Sequence, residues 1–143
     1  TLQGYVSNAA EGDMYEIEAA KIATEKSKTK GVLDLAKMIQ TDHTAASNQM
    51  KPLASAAGQT PPAELDERRK GLLDNLRAAS AADFDKVFLD QQEAAHSESL
   101  TLHKGYADNG EDAGLKGHAA KVAPKIQAHL DMVKKLKGEA PAT

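Results

Sequence analysis

Apolar side chains return along this chain every three to four residues, the period of a helix that buries one face. The clearest run is Val32 to Ala54. At 100° per residue, Val32, Ala36, Ile39, Ala46, Met50 and Ala54 fall on one stripe, with His43 in its middle. A first helix over Gly4 to about Ser27 gathers Ala9, Glu16, Ile17, Ala20 and Ala23 on one side, and polar residues from Lys26 to Gly31 break it from the second. Pro52 is expected to kink or fray the last turns of the second helix, with Gly58 just past its end.

After Gln59-Thr60-Pro61-Pro62, a weaker piece from Ala63 to Ala79 carries Leu72, Leu73 and Leu76 and reads as a connector. Ser80 is expected to cap a third long helix, with Asp83 three residues on. That helix turns Phe84, Val87, Phe88, Ala95, Leu102 and Tyr106 inward and stops at Asn109-Gly110. The fourth, Asp112 to Lys137, turns in Leu115, Val122, Ile126, Val133 and Leu136 and has Pro124 as a kink. No strand-length alternation interrupts these patterns. The expected fold is all-α: a four-helix bundle with one extra short connecting helix between the second and third long helices. It forms one domain over 1–138, with 139–143 a frayed tail.

The midpoints of packed helices of similar length meet at one level. Glu16, His43 and His96 lie near the midpoints of the first three long helices, and His129 about one turn past the middle of the fourth. These four are therefore expected to form one polar layer, with Glu93 at its rim as the first member of an E-x-x-H pair with His96. Hydrogen-bonded packing is the commoner fate of a histidine on an apolar face. The alternative is a metal. Three His and one Glu suit a single zinc-like ion, with copper or nickel also possible, and four protein ligands would make the site structural. His103 and His118 read as boundary residues.

Composition narrows the chemistry. The chain has 143 residues, enough for one core, and no cysteine, so no disulfide or thiolate site exists. There is no G-x-S-x-G, no Gly-rich phosphate loop and no H-E-x-x-H, and the chain is not expected to be an enzyme. No run approaches the ~20 apolar residues of a membrane span. The chain opens at Thr1 without a basic start and apolar h-region, so no signal peptide is visible, as in a mature form after cleavage.

Three stretches resemble a known family: Ala10 through Glu18, Leu35 through His43, and Pro124 through His129-Leu130, together with His96. The Asp42-His43 pair and the Pro-x-x-x-x-His-Leu stretch carry most of that likeness. The chain is similar to a bacterial domain-of-unknown-function family with a ferritin-like helix bundle, often labelled an outer membrane protein. The resemblance implies export to the envelope, in the periplasm or at the cell surface, with the signal peptide removed. It supplies no activity. Ferritin-like di-iron sites use a Glu on each of two helices and an E-x-x-H on each of the other two. Here Gln40 and Ile126 stand three residues before His43 and His129, which leaves the layer short of carboxylate and speaks against oxygen-activating chemistry.

Charge is uneven. The whole chain carries −3, yet from Ala113 to Gly138 there are six lysines against one aspartate. Lysines near a helix C-terminus also answer the macrodipole, which accounts for Lys134, Lys135 and Lys137. Lys116, His118, Lys121 and Lys125 remain as candidates for binding an anionic ligand. Nucleic acid is not expected, with arginines and aromatics scarce. The expected function is a non-catalytic envelope protein docking an acidic polymer, an acidic polysaccharide or another envelope polyanion, with peripheral association at most. The alternative is a metal-binding bundle with an interior His/Glu site, structural or for storage, holding one divalent zinc-like ion; no cofactor is certain from the sequence.

Overall fold

A computed structural model describes residues 1–138; the expected tail, 139–143, lies outside the described residues. Five helices follow in order: α1 Leu2–Lys26, α2 Lys30–Ala56, α3 Glu67–Ala78, α4 Phe84–Asn109 and α5 Ala113–Leu136. No strand occurs among the described residues. The four long helices and the short connector are those the apolar periodicity predicts.

The starts are set by side-chain caps that take up otherwise orphaned backbone N–H groups. Thr1 Oγ1 accepts from Gly4 N at 3.0 Å and Asp112 Oδ2 from Leu115 N at 2.9 Å. Asp66 Oδ1 accepts from Arg69 N at 3.2 Å, which fixes the start of α3 at Glu67, four residues later than the expected start at Ala63. Ser80 caps a single turn that leads into α4: its Oγ accepts from Asp83 N at 3.3 Å and its carbonyl from Phe84 N at 2.9 Å. The expected cap is therefore displaced one turn upstream of the helix proper, and Asp83, the residue before Phe84, makes no side-chain cap bond.

Pro52 does not end α2, which continues to Ala56. Beyond Ala57, Gly58 takes φ 75°, and the turn closes with Gly58 N donating to Ser55 O at 3.0 Å and Gln59 N to Ala54 O at 2.9 Å. This is a Schellman closure, and it satisfies carbonyls that a frayed end would expose. At the end of α3 a lysine does the same work: Lys26 Nζ donates to the carbonyls of Leu76, Arg77 and Ala79 at 3.1, 2.8 and 2.6 Å.

Helix α1 packs chiefly on α2 and α4 on α5, the α2–α5 and α1–α4 contacts close the bundle, and α3 lies across α1 and α4. The start of α2 meets the end of α5 so closely that a Cβ on Gly31 would come within 2.6 Å of Leu136 Cδ2. Three apolar clusters fill the interior of the described residues. Tyr15, Leu35, Ile39, Leu76, Phe84, Phe88 and Val133 belong to the first, Tyr5, Val6, Met50 and Leu115 to the second, and Val122 and Ile126 to the third. Each such side chain contributes about 1.5–3 kcal/mol on burial. Set among them are five buried histidines. The stripe of α2 is buried throughout, His43 included, so the pattern that marks His43 as interior is obeyed.

Candidate metal centre

His43 comes from the middle of α2, His96 from α4 and His129 from α5, and each is nearly inaccessible to solvent. One ring nitrogen of each lies within 4.8 Å of one nitrogen of the other two. The ring centroids are 5.4 to 5.8 Å apart. Burial is the largest influence on two of these rings. It pushes both His43 and His96 down to about 3, with neighbouring imidazoles adding to the effect, so that these rings are neutral at pH 7 and offer lone pairs.

What faces the other nitrogen of each ring decides where that lone pair points. His96 Nδ1 sits 3.0 Å from the carbonyl oxygen of Gln92, which can only accept, so the proton is on Nδ1 and the Nε2 lone pair faces inward. His129 Nε2 donates to Asp42 Oδ2 at 2.7 Å, so that a ring with one proton turns a bare Nδ1 towards the centre. The two bare nitrogens, His96 Nε2 and His129 Nδ1, are 3.3 Å apart. His43 Nδ1 pairs with Asp13 Oδ1 at 2.8 Å, and its Nε2 is buried without a hydrogen-bond partner. Burial raises Asp13 to about 8, so its carboxyl is neutral at pH 7 and its Oδ1 can accept from His43 Nδ1–H. With the His43 proton on Nδ1, all three outer nitrogens donate to oxygen and the inner ones are free to offer lone pairs. Outer partners of this kind, carboxylate or backbone carbonyl, are those that orient metal-ligating histidines.

The donor set fits an ion. Nitrogens bound at about 2.0–2.1 Å to one ion lie about 3.3–3.6 Å from each other. The His96–His129 pair is already at that separation, and a shift of about 1 Å would bring the third nitrogen in. His43 Nε2 is the orphaned buried atom that such an ion would satisfy.

Not every residue expected in the layer joins it. Glu16 is buried and its Oε1 lies 3.8 Å from His96 Nδ1, the nitrogen that faces away from the centre. Burial pushes its carboxyl well above the usual range, and Glu16 supplies no atom to the three-nitrogen group. Glu93 is drawn outward: its Oε1 accepts from Lys137 Nζ at 3.3 Å, and it too is outside the group. Without a fourth protein ligand the arrangement is not the closed four-ligand site expected from the sequence. Of the basic candidates, Lys116, Lys121 and Lys125 are exposed on α5. His118 is not on that surface. It is buried, with Nε2 lacking a partner, and its ring lies 6.3 Å from that of His103, because three residues separate it from the buried Leu115 and four from Val122. His103 is also interior and meets Tyr5 Oη at 2.8 Å through Nδ1.

Sequence reasoning missed the outer partners. Asp13 stands one turn before Glu16 on the same face of α1, a placement that could have marked it as interior. Asp42 adjoins His43, yet its carboxylate reaches across to α5. The Gln92 carbonyl is backbone and leaves no trace in the sequence.

These features define a class: an all-α bundle whose core holds a three-histidine centre oriented by two aspartates and a carbonyl. Residues 1–136 match the family described as domain of unknown function DUF4142, and the chain belongs to that family. No curated protein matches it. Among solved structures, it is similar to CopM in the Cu(I)-bound form, with TM-score 0.81, 19% identity and 96% of each chain covered. CopM in the Cu(II)-bound form gives TM-score 0.82 at 19% identity, again with 96% of each chain covered. A DUF305 fragment from Deinococcus radiodurans gives 0.83 at 14%, covering 96% of this chain and 95% of that one. At these identities the likeness shows the fold alone.

Proposed function

We propose that this protein binds one transition-metal ion at His43 Nε2, His96 Nε2 and His129 Nδ1, and that it holds or carries the ion without catalysing a reaction. The observation that carries the proposal is the convergence of three imidazoles whose outer nitrogens are all engaged with oxygen. Three imidazoles and no thiolate suit copper and zinc, with nickel behind them. Copper is the first ion to test, because the similar fold of CopM has been solved in Cu(I)-, Cu(II)- and Ag-bound forms. The bacterial envelope address that the family resemblance implies goes with this proposal, since an ion-holding protein outside the cytoplasm needs no enzymatic partner residues in its own chain.

Docking of an acidic polymer on α5 has less support. The lysines there are exposed, but His118, counted with them, faces the interior. The decisive experiment uses protein purified without a metal-binding tag, stripped, and titrated with Cu(I), Cu(II) and Zn(II). Stoichiometric uptake of one ion, lost in His43→Gln, His96→Gln and His129→Gln, is expected. Failure of the parent protein to retain any of the three ions overturns the proposal.

A further inference from the structure

A cavity of about 290 Å³ reaches from the surface between α2 and α5 to the edge of the histidine centre. Its inner wall includes His43 and His129, and its outer wall Asp42, Gln49, Lys121 and Lys125. His43 is buried and its Nε2 has no partner. The two lysines stand one turn apart on α5, are exposed, and make no hydrogen bond or ion pair among the described residues. A four-coordinate ion on the three histidines would have one position that no protein group among the described residues claims, and two of the three rings line this cavity.

We propose that the cavity admits a small oxyanion of carboxylate or carbonate class, which completes the coordination of the bound ion and is held at its outer end by Lys121 and Lys125. This inference rests on the metal-binding reading of the same centre.

Charge supports the assignment. Asp42 is committed to His129, and Asp13 lies behind His43, so neither carboxylate is free to become the remaining ligand. Two ammonium groups beside the entrance would repel an entering cation unless an anion offsets them. A water molecule would fill only a small part of the space, since its share of liquid volume is about 30 Å³. An anion bonded to the ion at one end and facing ammonium groups at the other uses both the room and the charge. Gln49 adds an amide donor to the same wall.

The test uses protein loaded with one Cu(II) and titrated with azide at constant ionic strength, made up with perchlorate. Azide bound to the ion produces a new charge-transfer band in the near ultraviolet. Acetate and bicarbonate are then added as competitors, and their relative strength tells carboxylate from carbonate as the preferred source. The expected result is a saturable band, competed by either oxyanion. In the double variant Lys121→Gln, Lys125→Gln the azide affinity should fall at least about tenfold, as expected for removing two nearby positive charges. Its copper stoichiometry should equal the parent's. Because both lysines are exposed and partnerless, the double variant is expected to fold with an unchanged helical spectrum. Absence of a band in the copper-loaded parent, or equal azide affinity in parent and variant, overturns this inference alone. A parent that takes up no Cu(II) overturns the metal-binding reading and this inference with it.

Discussion

His96 Nε2 faces His129 Nδ1 at 3.3 Å, and the far nitrogen of each ring is engaged with an oxygen. Gln92 O fixes the proton of His96 on the far nitrogen, and Asp42 does the same for His129. When each ring carries one proton, on the nitrogen its oxygen partner holds, two lone pairs face one another, and a cation between them turns that repulsion into two bonds. Asp42 is therefore a positioning residue for the centre, and its effect should differ between metal-bound and metal-free protein.

In Asp42→Ala the His129 proton is free to move to Nδ1, where it can be donated to His96 Nε2. Metal affinity should fall about 10–100-fold, the usual cost of losing an outer partner. The metal-free protein should be no less stable than the parent, because the lone-pair conflict is relieved. Calorimetric titration and denaturant melts of both forms check this. A large loss of stability in the metal-free variant with unchanged metal affinity would show that Asp42 only supports packing.

His43→Leu separates packing from ligation differently. The change leaves Asp13 buried without its partner, which costs roughly 1–3 kcal/mol in the metal-free protein. The parent should melt higher with the ion than after chelation, by an amount that grows with free metal as RT ln(1 + [L]/Kd). The variant should show no chelator response. A chelator response of equal size in both proteins would remove His43 from the ligand set.

Much of this was legible in the sequence. The α2 stripe places His43 inside the bundle, and equal helix lengths put His96 and His129 near its level. The method fails where a side chain's direction, and not its depth, decides the outcome. Glu16 has the right depth, yet it approaches the outward nitrogen of His96. Glu93 has the right spacing from His96, yet a lysine beyond the end of α5 draws it out. His118 shares a side of α5 with the lysines in projection, but three and four residues separate it from buried Leu115 and Val122, and burial follows the stripe. The outer partners Asp42 and Gln92 act across helices or through the backbone, which single-helix periodicity does not encode.

Gly110 offers a test of the far end of the bundle. Its φ of −66° is open to any residue, so conformational freedom is not why glycine stands there. A Cβ would lie 2.5–2.6 Å from three atoms of the Tyr106 ring. That ring is held from its other side, stacked on Tyr5 with centroids 4.1 Å apart, and its Oη accepts from Asp112 N at 3.2 Å. Gly110→Ala should therefore cost about 1–3 kcal/mol, as overpacking does. Gly117→Ala, where nothing lies within 4 Å of the added carbon, should not destabilise and should add helix propensity. Denaturant melts of the two variants give the comparison; equal behaviour would show that Tyr106 yields freely.

His103, outside the set of ligand rings, sets a pH dependence of its own. It is buried against Tyr5 and His118, and burial, then His118 and His43, push it down to about 3 from an ordinary value of 6.5. In this window the unfolded chain binds a proton at this position that the folded chain refuses. The stability that neutral His103 permits is fully present above pH 6.5 and is lost as pH falls towards 3. Asp13 works in the opposite sense. Burial raises it to about 8, so its contribution is present below its ordinary 3.8 and is lost as pH rises towards 8. Replacing His103 by Gln removes one of these proton-linked terms and keeps a polar group near Tyr5. Between pH 4 and 6 the slope of unfolding free energy against pH should drop by up to about 1.4 kcal/mol per pH unit, the value for one proton. The measurement is a series of urea melts on metal-free parent and variant across that range. Parallel slopes would mean that His103 becomes protonated within the fold at an ordinary pH, and that its contact with Tyr5 opens to water well before the bundle unfolds.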